Sequence, residues 1–424
     1  MLPIVRTEED LEQRLQTRRR MFAGQCVAVD DILSRVRENG DEAVRNLTQQ
    51  YDGISVDTLR VSRERSTSAA DSLSPELHSA ISAASDNIRR FHEKQLPESY
   101  SIAQPDGTRV SFRWRPVERA GVYTPSGRFP LFSSVLMNVI PAQVAGVREI
   151  ALCSPPGASG YPSDFILAVC GLLGVPEVYR VGGAQAVAAL AYGTESIPAV
   201  DKITGPGNVY VAAAKQAVSA SVGIDVLAGP TELVVMADES ADPVRVATDL
   251  VSQAEHDPQV WSVLLTISEE TASEVNCRLE DALGELPTRA ATEAALVNNG
   301  FVYVADSIDS CIAMVNRIAP EHLSLQVENP GRWVDAVTAG AVFVGSDTPV
   351  AWGDYWAGAN HTLPTTGQAR FRGPLSVYDF LVPFSVIESP QSAVKASGRS
   401  VVALADAEGL SAHARSIELR MEDG

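Results

Sequence analysis

Residues 149–208, EIALCSPPGASGYPSDFILAVCGLLGVPEVYRVGGAQAVAALAYGTESIPAVDKITGPGN, set short apolar runs against helix-length segments in regular alternation. Strands are expected at Ile150 to Ser154, Val178 to Val181 and Lys202 to Thr204, with helices from about Asp164 and after Gln185. Strand, helix, strand in this rhythm is the pattern of a parallel sheet covered by crossover helices. Ligands in such sheets sit beyond the carboxyl ends of the strands. Gly182-Gly183-Ala184-Gln185 and Gly205-Pro206-Gly207-Asn208 fall there, each before a predicted helix. Backbone amides at a helix N-terminus suit a phosphate. Neither segment completes the GxGxxG fingerprint, so a nucleotide site is suggested without being specified.

The alternation continues downstream. After Gly229-Pro230-Thr231-Glu232 come strands at Leu233 to Met236, near Val263 to Thr266 and at Val302 to Val304, so a second α/β layer is expected. Upstream, residues 1 to about 20 read as an amphipathic helix capped by Thr7. After Gly24 a helix pair from Val29 to Tyr51 breaks near Asn39-Gly40, and a long helix runs from Pro75 to about Gln95. TRVSFRWR at 108–115 alternates like a half-buried strand. Gly121-Val122-Tyr123 then enters the turn Thr124-Pro125-Ser126-Gly127, a candidate for ligand contact whose chemistry alone reads as a plain strand-to-helix connection. From about Pro374 the chain looks like an appendage, with the segment Val377 to Val382, a helix after Pro390 and an alternating end around Ile417 to Arg420.

Acidic residues outnumber basic ones 53 to 34, and the net charge of −19 would repel a phosphate backbone, which argues against a nucleic-acid partner. The run Arg18-Arg19-Arg20 is too short to change that and reads as the solvated face of the first helix. No signal peptide is expected after Met1, no apolar run reaches the roughly 18 residues of a membrane span, and a cytoplasmic location is expected. Cys26, Cys153, Cys170, Cys277 and Cys311 lack CxxC spacing and read as buried small hydrophobes, so a metal site would use nitrogen and oxygen ligands. Of the six histidines, His78 and His92 lie in the long helix without acidic or histidine partners and read as surface or packing residues; the others are His256, His322, His361 and His413.

Ser252-Gln253-Ala254-Glu255-His256 ends a helix with Asp242 as N-cap, Pro243 as first residue, and Val244, Ala247, Leu250, Val251 and Ala254 on its apolar face. Asp257-Pro258 stops it, which places His256 in the last turn and Gln253 three residues earlier on the same face. The negative end of the helix dipole would favour a cation there. The residues alone favour a histidine satisfied by carbonyls beside a solvated glutamine. Pro320-Glu321-His322 sits between a predicted helix and the strand Ser324 to Gln326, a loop position suited to catalysis, although the residues alone favour an exposed ion-paired couple.

Read together and in order, GGAQA at 182–186, TGPGN at 204–208, AGPTE at 228–232, SQAEH at 252–256, APEHL at 319–323, GDYWAGANHTLPT at 353–365 and EGLSAH at 408–413 resemble the histidinol dehydrogenase family over nearly the whole chain. The resemblance implies an α/β fold of two incomplete Rossmann-like domains, with a helical N-terminal segment (1–20) and a small C-terminal tail domain (376–424). The first α/β domain would comprise 21–122 with 232–375, and the second, on the NAD side, 123–231. It also implies one zinc ion per subunit on Gln253, His256, Asp354 and His413. His322 would be the general base and acid, and Glu321 would activate the water that attacks an aldehyde intermediate. NAD contacts would fall on Tyr123, Gln185 and Asn208. Substrate contacts would come from Thr231, His361 and Glu408, besides the zinc ligands and the catalytic pair. The implied reaction takes L-histidinol through L-histidinal to L-histidine with two NAD. The implied assembly is a homodimer whose tails complete the partner's sites. Thr231 stands where many members carry serine, Ser126 replaces the second residue of a PGG turn, and Arg372-Gly373-Pro374 replaces a serine-rich segment. These departures admit a paralogue that oxidises another amino alcohol or a sulfonated diol.

Overall fold

The computed structural model of the chain describes residues 2–23, 29–126, 129–227 and 229–422. Gly24, Cys26, Gly127 and Ala228, which the sequence reading uses, lie outside the described residues. Two compact units are formed, one by Met1–Gln95 with Glu118–Phe380 and one by Leu96–Val117 with Leu381–Gly424.

The larger unit contains two six-stranded sheets. One runs in the order Arg60–Val61, Glu177–Arg180, Glu149–Ser154, Arg119–Tyr123, Lys202–Thr204, Gly223–Ile224, parallel throughout except at the Arg60–Val61 edge. Arg119–Tyr123, at its centre, is buried at every position, as expected of a strand covered on both faces. The helices Asp30–Asp52, Gly183–Tyr192 and Val209–Val218 share one apolar cluster with this sheet, including Val36, Val44, Leu47, Val187, Leu190, Ile203 and Val211. Each such side chain, fully withdrawn from water, contributes roughly 1.5–3 kcal/mol.

Helix Asp30–Asp52 breaks where Asn39-Gly40 was expected to break it. Gly40 has φ 49°, and a Cβ there would lie 2.3 Å from Glu195 Oε2, the carboxylate oxygen that accepts the Asp41 N–H. The helix, the edge strand Arg60–Val61 and the central strand Arg119–Tyr123 all belong to the layers of this sheet, although the expected boundary between residues 122 and 123 assigned all of them but Tyr123 to the other domain. Val36, Val44 and Leu47 of the helix share one apolar cluster with Val187 and Leu190, and Leu190 also lies against Gly121 of the central strand, a long-range choice that local spacing does not encode.

The second sheet runs Ile4–Val5, Phe301–Val304, Trp261–Thr266, Glu232–Ala237, His322–Gln326, Ala341–Val344, all parallel, with an apolar cluster on each face. In both sheets the chain builds outward from one strand, then returns to its other side, so each is an incomplete doubly wound sheet of the expected α/β class. The first helix, Glu8–Ala23, starts at Thr7, whose Oγ1 accepts the Asp10 N–H.

The smaller unit pairs three antiparallel strands in the order Leu381–Glu388, Arg109–Pro116, Tyr100–Ala103, with helices Gln391–Ala407 and Ser411–Glu422. Val377–Phe380 is a 3-10 turn in the larger unit, and the strand starts only at Leu381. The end around Ile417 to Arg420 is helical instead of alternating: Arg415 reaches Glu418 and Glu422, and Arg420 reaches Ser416, contacts at helical spacing. Cys153, Cys170 and Cys311 are buried as expected, and burial pushes all three thiols up. Cys277 is exposed on the outer face of helix Glu269–Leu283, contrary to expectation.

Candidate active site

Helix Pro243–Ala254 starts as the sequence requires, with the Asp242 carboxylate accepting the Val244 N–H at 2.9 Å. Its buried face comprises Val246, Ala247, Leu250, Val251, Gln253 and Ala254. Val244, expected on that face, is 53% exposed in the first turn. Glu255 is the C-cap, so His256 lies one residue past the cap instead of in the last turn, its N–H donating to the Gln253 carbonyl at 3.2 Å.

Because helices in a parallel sheet run back against the strands, this helix ends at the amino edge of the second sheet. Glu232 and His322 open adjacent strands at the same edge, with Leu233 in register with His322. His322 is the first residue of its strand instead of a loop residue. Its ring Nδ1 lies 3.0 Å from the Glu232 carbonyl. A carbonyl can only accept, so Nδ1 carries the proton and Nε2 is left as the basic nitrogen. His361 repeats the arrangement, with Nδ1 3.2 Å from the Asp354 carbonyl. Burial depresses both imidazoles to about 4, and the mutual repulsion of His322 with His361 and His256 adds to the effect on His322. The rings are neutral at physiological pH.

Glu321 is buried, with Oε2 accepting the Glu232 N–H at 2.9 Å and lying 3.6 Å from His322 Nδ1. Burial holds its carboxyl well above the usual range, and the neighbouring charges of Glu232 and Asp354 push the same way. A raised carboxyl beside a neutral imidazole is an arrangement suited to proton transfer near neutrality.

The expected metal ligands divide between the units: Gln253, His256 and Asp354 in the larger one, His413 on an exposed position of helix Ser411–Glu422 in the smaller one, together with exposed Glu408. Among the described residues no three His, Cys, Asp or Glu side chains gather as a metal-binding group. The residues of the larger unit nevertheless suit a cation. Gln253 is 2% exposed and its Oε1 has no hydrogen-bond partner, which is a costly state for a buried acceptor. Burial keeps the His256 imidazole neutral and pushes Asp354 up to about 7, and a nearby positive charge would draw the carboxyl back down.

At the carboxyl edge of the other sheet, the turn Gly205-Pro206-Gly207-Asn208 follows strand Lys202–Thr204, next to the end of Arg119–Tyr123. Gly205 has φ 114°, and a Cβ would stand 2.0 Å from the Tyr123 carbonyl oxygen, so only glycine allows this approach. Its N–H donates to Asp225 Oδ2 at 2.7 Å, and its carbonyl accepts from Lys215 Nζ at 3.0 Å. Lys215 and Asp225 form a buried ion pair. Asn208 caps helix Val209–Val218 with its side-chain oxygen, which leaves its amide NH2 available. The buried Tyr123 hydroxyl accepts the Gly183 N–H at 3.2 Å, and Gln185 is buried in the first turn of the following helix. Tyr123, Gln185 and Asn208 therefore all lie along one edge of one sheet, Tyr123 and Asn208 at its switch point and Gln185 after the strand Glu177–Arg180 two places away.

Sequence reasoning missed Arg18, Glu232, Lys215 and Asp225. Arg18 is 9% exposed, not solvated, and its Nε donates to Glu232 Oε1 at 2.7 Å. The available signals were single charges in apolar runs: Glu232 before LVVMA, Lys215 after VAAA and Asp225 within GIDVL.

A parallel α/β lobe with glycine turns at its switch point, in one unit with a lobe carrying a buried acid–base pair, has the construction of an α/β oxidoreductase. Residues 16–421 match the histidinol dehydrogenase family. The histidinol dehydrogenase of Bacillus subtilis is 46% identical over 412 residues, 96% of each chain, and that of Halalkalibacterium halodurans is 46% identical over 397 residues, 93% of this chain and 94% of its own. The crystal structure of histidinol dehydrogenase from Elizabethkingia anophelis aligns with a TM-score of 0.87 at 37% identity, covering 99% of this chain and 94% of that one. The chain belongs to the histidinol dehydrogenase family and is an oxidoreductase. An acetylating aldehyde dehydrogenase from Geobacillus thermoglucosidasius, 13% identical with a TM-score of 0.51, shares the fold alone. Among the described residues no helix is long and apolar enough to cross a membrane.

Proposed function

We propose that the chain oxidises L-histidinol through L-histidinal and its hydrate to L-histidine, reducing two NAD in succession, as the last step of histidine biosynthesis. The observation that carries the chemistry is His322, buried, neutral and held by the Glu232 carbonyl so that Nε2 is the free base, with Glu321 beside it. His322 removes the hydroxyl proton in each oxidation. Glu321 activates the water that adds to the aldehyde. Tyr123, Gln185 and Asn208 hold NAD along the switch-point edge, and Thr231 and His361 contact substrate. Relatives 46% identical over 93% and 96% of the chain support histidinol over the paralogous alcohols that Thr231, Ser126 and Arg372 left open.

Zinc would be held by Gln253, His256 and Asp354 with the partner subunit's His413; when bound, it supplies a fixed anchor for substrate nitrogens. The orphaned Gln253 Oε1 supports this donor set. In the same homodimer the partner subunit's Glu408 meets the cationic amine of the substrate. The test is NADH release with L-histidinol against a panel of amino alcohols and a sulfonated diol, together with elemental analysis before and after chelation. Catalytic efficiency should be highest with L-histidinol, and activity should be lost on chelation and restored by zinc. An active enzyme without divalent metal, or a preference for another alcohol, would overturn the respective part.

A further inference from the structure

Glu232 and Glu321 clasp each other where their two strands begin. Glu321 Oε2 accepts the Glu232 N–H at 2.9 Å, and Glu232 Oε2 accepts the Glu321 N–H at 3.2 Å. The other oxygen of Glu232 accepts Arg18 Nε at 2.7 Å and the Thr366 N–H at 3.1 Å. Arg18 also donates through Nη2 to the carbonyls of Pro230 at 2.7 Å and Thr231 at 3.4 Å, and its guanidinium lies 4.8 Å over the Trp261 ring. The side chains of Arg18 and Glu232 are only 10% and 2% exposed.

A carboxylate so buried needs a charge partner, and a planar fork that also binds two carbonyls fixes its direction. We propose that Glu232, neutralised and oriented by Arg18 of the N-terminal helix, is a positioning residue that sets the Glu321 carboxylate and the His322 backbone for the aldehyde step. The clasp leaves Glu321 one oriented oxygen on the Glu232 N–H and the other free for water. It also fixes the Glu232 carbonyl, which chooses the His322 tautomer. The inference rests on the catalytic reading of Glu321 and His322.

The test is a double-mutant cycle on presteady-state NADH formation from L-histidinal, with thermal unfolding run alongside. Glu232→Gln keeps the shape and removes the charge. It should lower kcat about 10- to 100-fold, as small misplacements of reacting groups do, with KM for L-histidinal and NAD within about threefold. Combined with Glu321→Gln it should cost clearly less than the product of the two single effects, because it acts largely through that residue. A merely structural Glu232 would multiply the two defects instead. Arg18→Lys, which keeps the charge and loses the fork, should show the same kcat effect at smaller size. The charge-balanced pair Arg18→Met with Glu232→Gln should give the Glu232→Gln kinetics, and it stands in if the single variant does not fold. Multiplied defects on a slow Glu321→Gln, or full activity of both Glu232→Gln and the charge-balanced pair, would overturn the positioning role alone. Glu321→Gln at the wild-type rate with L-histidinal would overturn the catalytic reading and the positioning role with it.

Discussion

Replacing Lys215 by Met should unfasten the Gly205–Asn208 turn, and the size of the effect follows from what the lysine holds. Its ammonium binds Asp225 and donates to the Gly205 and Val226 carbonyls, each at 3.0 Å, with both members of the pair almost wholly buried. Methionine fills the space but leaves the Asp225 charge alone in the interior, which costs about 3–5 kcal/mol. The carboxyl has one escape, to take up a proton. Burial already pushes Asp225 upward, with Lys215 and the Gly205 N–H holding it back. Protonating an ordinary carboxyl of pKa about 3.9 at pH 7 costs about 4 kcal/mol, and about 2 kcal/mol at pH 5.5. The defect should therefore be near 4 kcal/mol at neutrality and roughly halve by pH 5.5.

Hydrogen exchange of the amides in helix Val209–Val218, corrected for intrinsic rates, reads this local stability directly. Since Lys215 touches Gly205 and Asn208 caps the same helix, KM for NAD should rise about tenfold with a transfer of only about 1.4 kcal/mol to binding. A protection loss below about 1 kcal/mol and equal at both pH values would refute the reasoning, as would an unchanged KM.

Asp249→Asn should stabilise the protein above pH 6, because burial raises the Asp249 carboxyl to about 6 while Gln326 Nε2 donates to it at 2.8 Å, a contact the amide oxygen retains. With a folded pKa above the unfolded one, the wild type loses stability as pH rises from about 4 to 6. The advantage of the variant should grow from near zero below pH 4 to about 2–3 kcal/mol at pH 7 in urea titrations, and a flat difference would contradict the assignment. For the shared site, His256→Ala and His413→Ala should each be inactive, but co-refolding them should restore roughly a quarter of wild-type activity, since half of randomly paired dimers are mixed and one of their two sites is intact. Mixed dimers without rescue would place His413 in its own subunit's site.

Local periodicity and punctuation carried the α/β rhythm, the helix break at Gly40 and the start of helix Pro243–Ala254, because these follow from caps, glycine and apolar spacing within a few residues. The assignment of helix Asp30–Asp52 and strand Arg119–Tyr123 to the first sheet was not legible, since the helix packs on Val187 and Leu190 far along the chain and the strand pairs with Glu149–Ser154 and Lys202–Thr204, choices made by tertiary partners and not by local spacing. Motif order located His322 and Glu321, yet nothing local distinguishes Arg18 from its neighbours in an arginine run. Its burial is decided by Glu232, 214 positions along. Tyr123, Gln185 and Asn208 were placed by resemblance; the α/β rhythm already put Gln185 and Asn208 at carboxyl ends of strands, and which strands are neighbours emerges only from the strand order.

The expected site residues of the larger unit fall on opposite rims of its two sheets: Tyr123, Gln185 and Asn208 at carboxyl ends of the first, and His256, Glu321 and His322 at amino ends of the second. The vacated rim of the second sheet, with the connections after Ala237, Thr266, Val304, Gln326 and Val344, carries none of the expected site residues. A probe attached at the exposed Asp347 should therefore leave Glu321 and His256 in place. In a lobe wound like its neighbour, the expected chemistry then occupies the opposite ends of the strands.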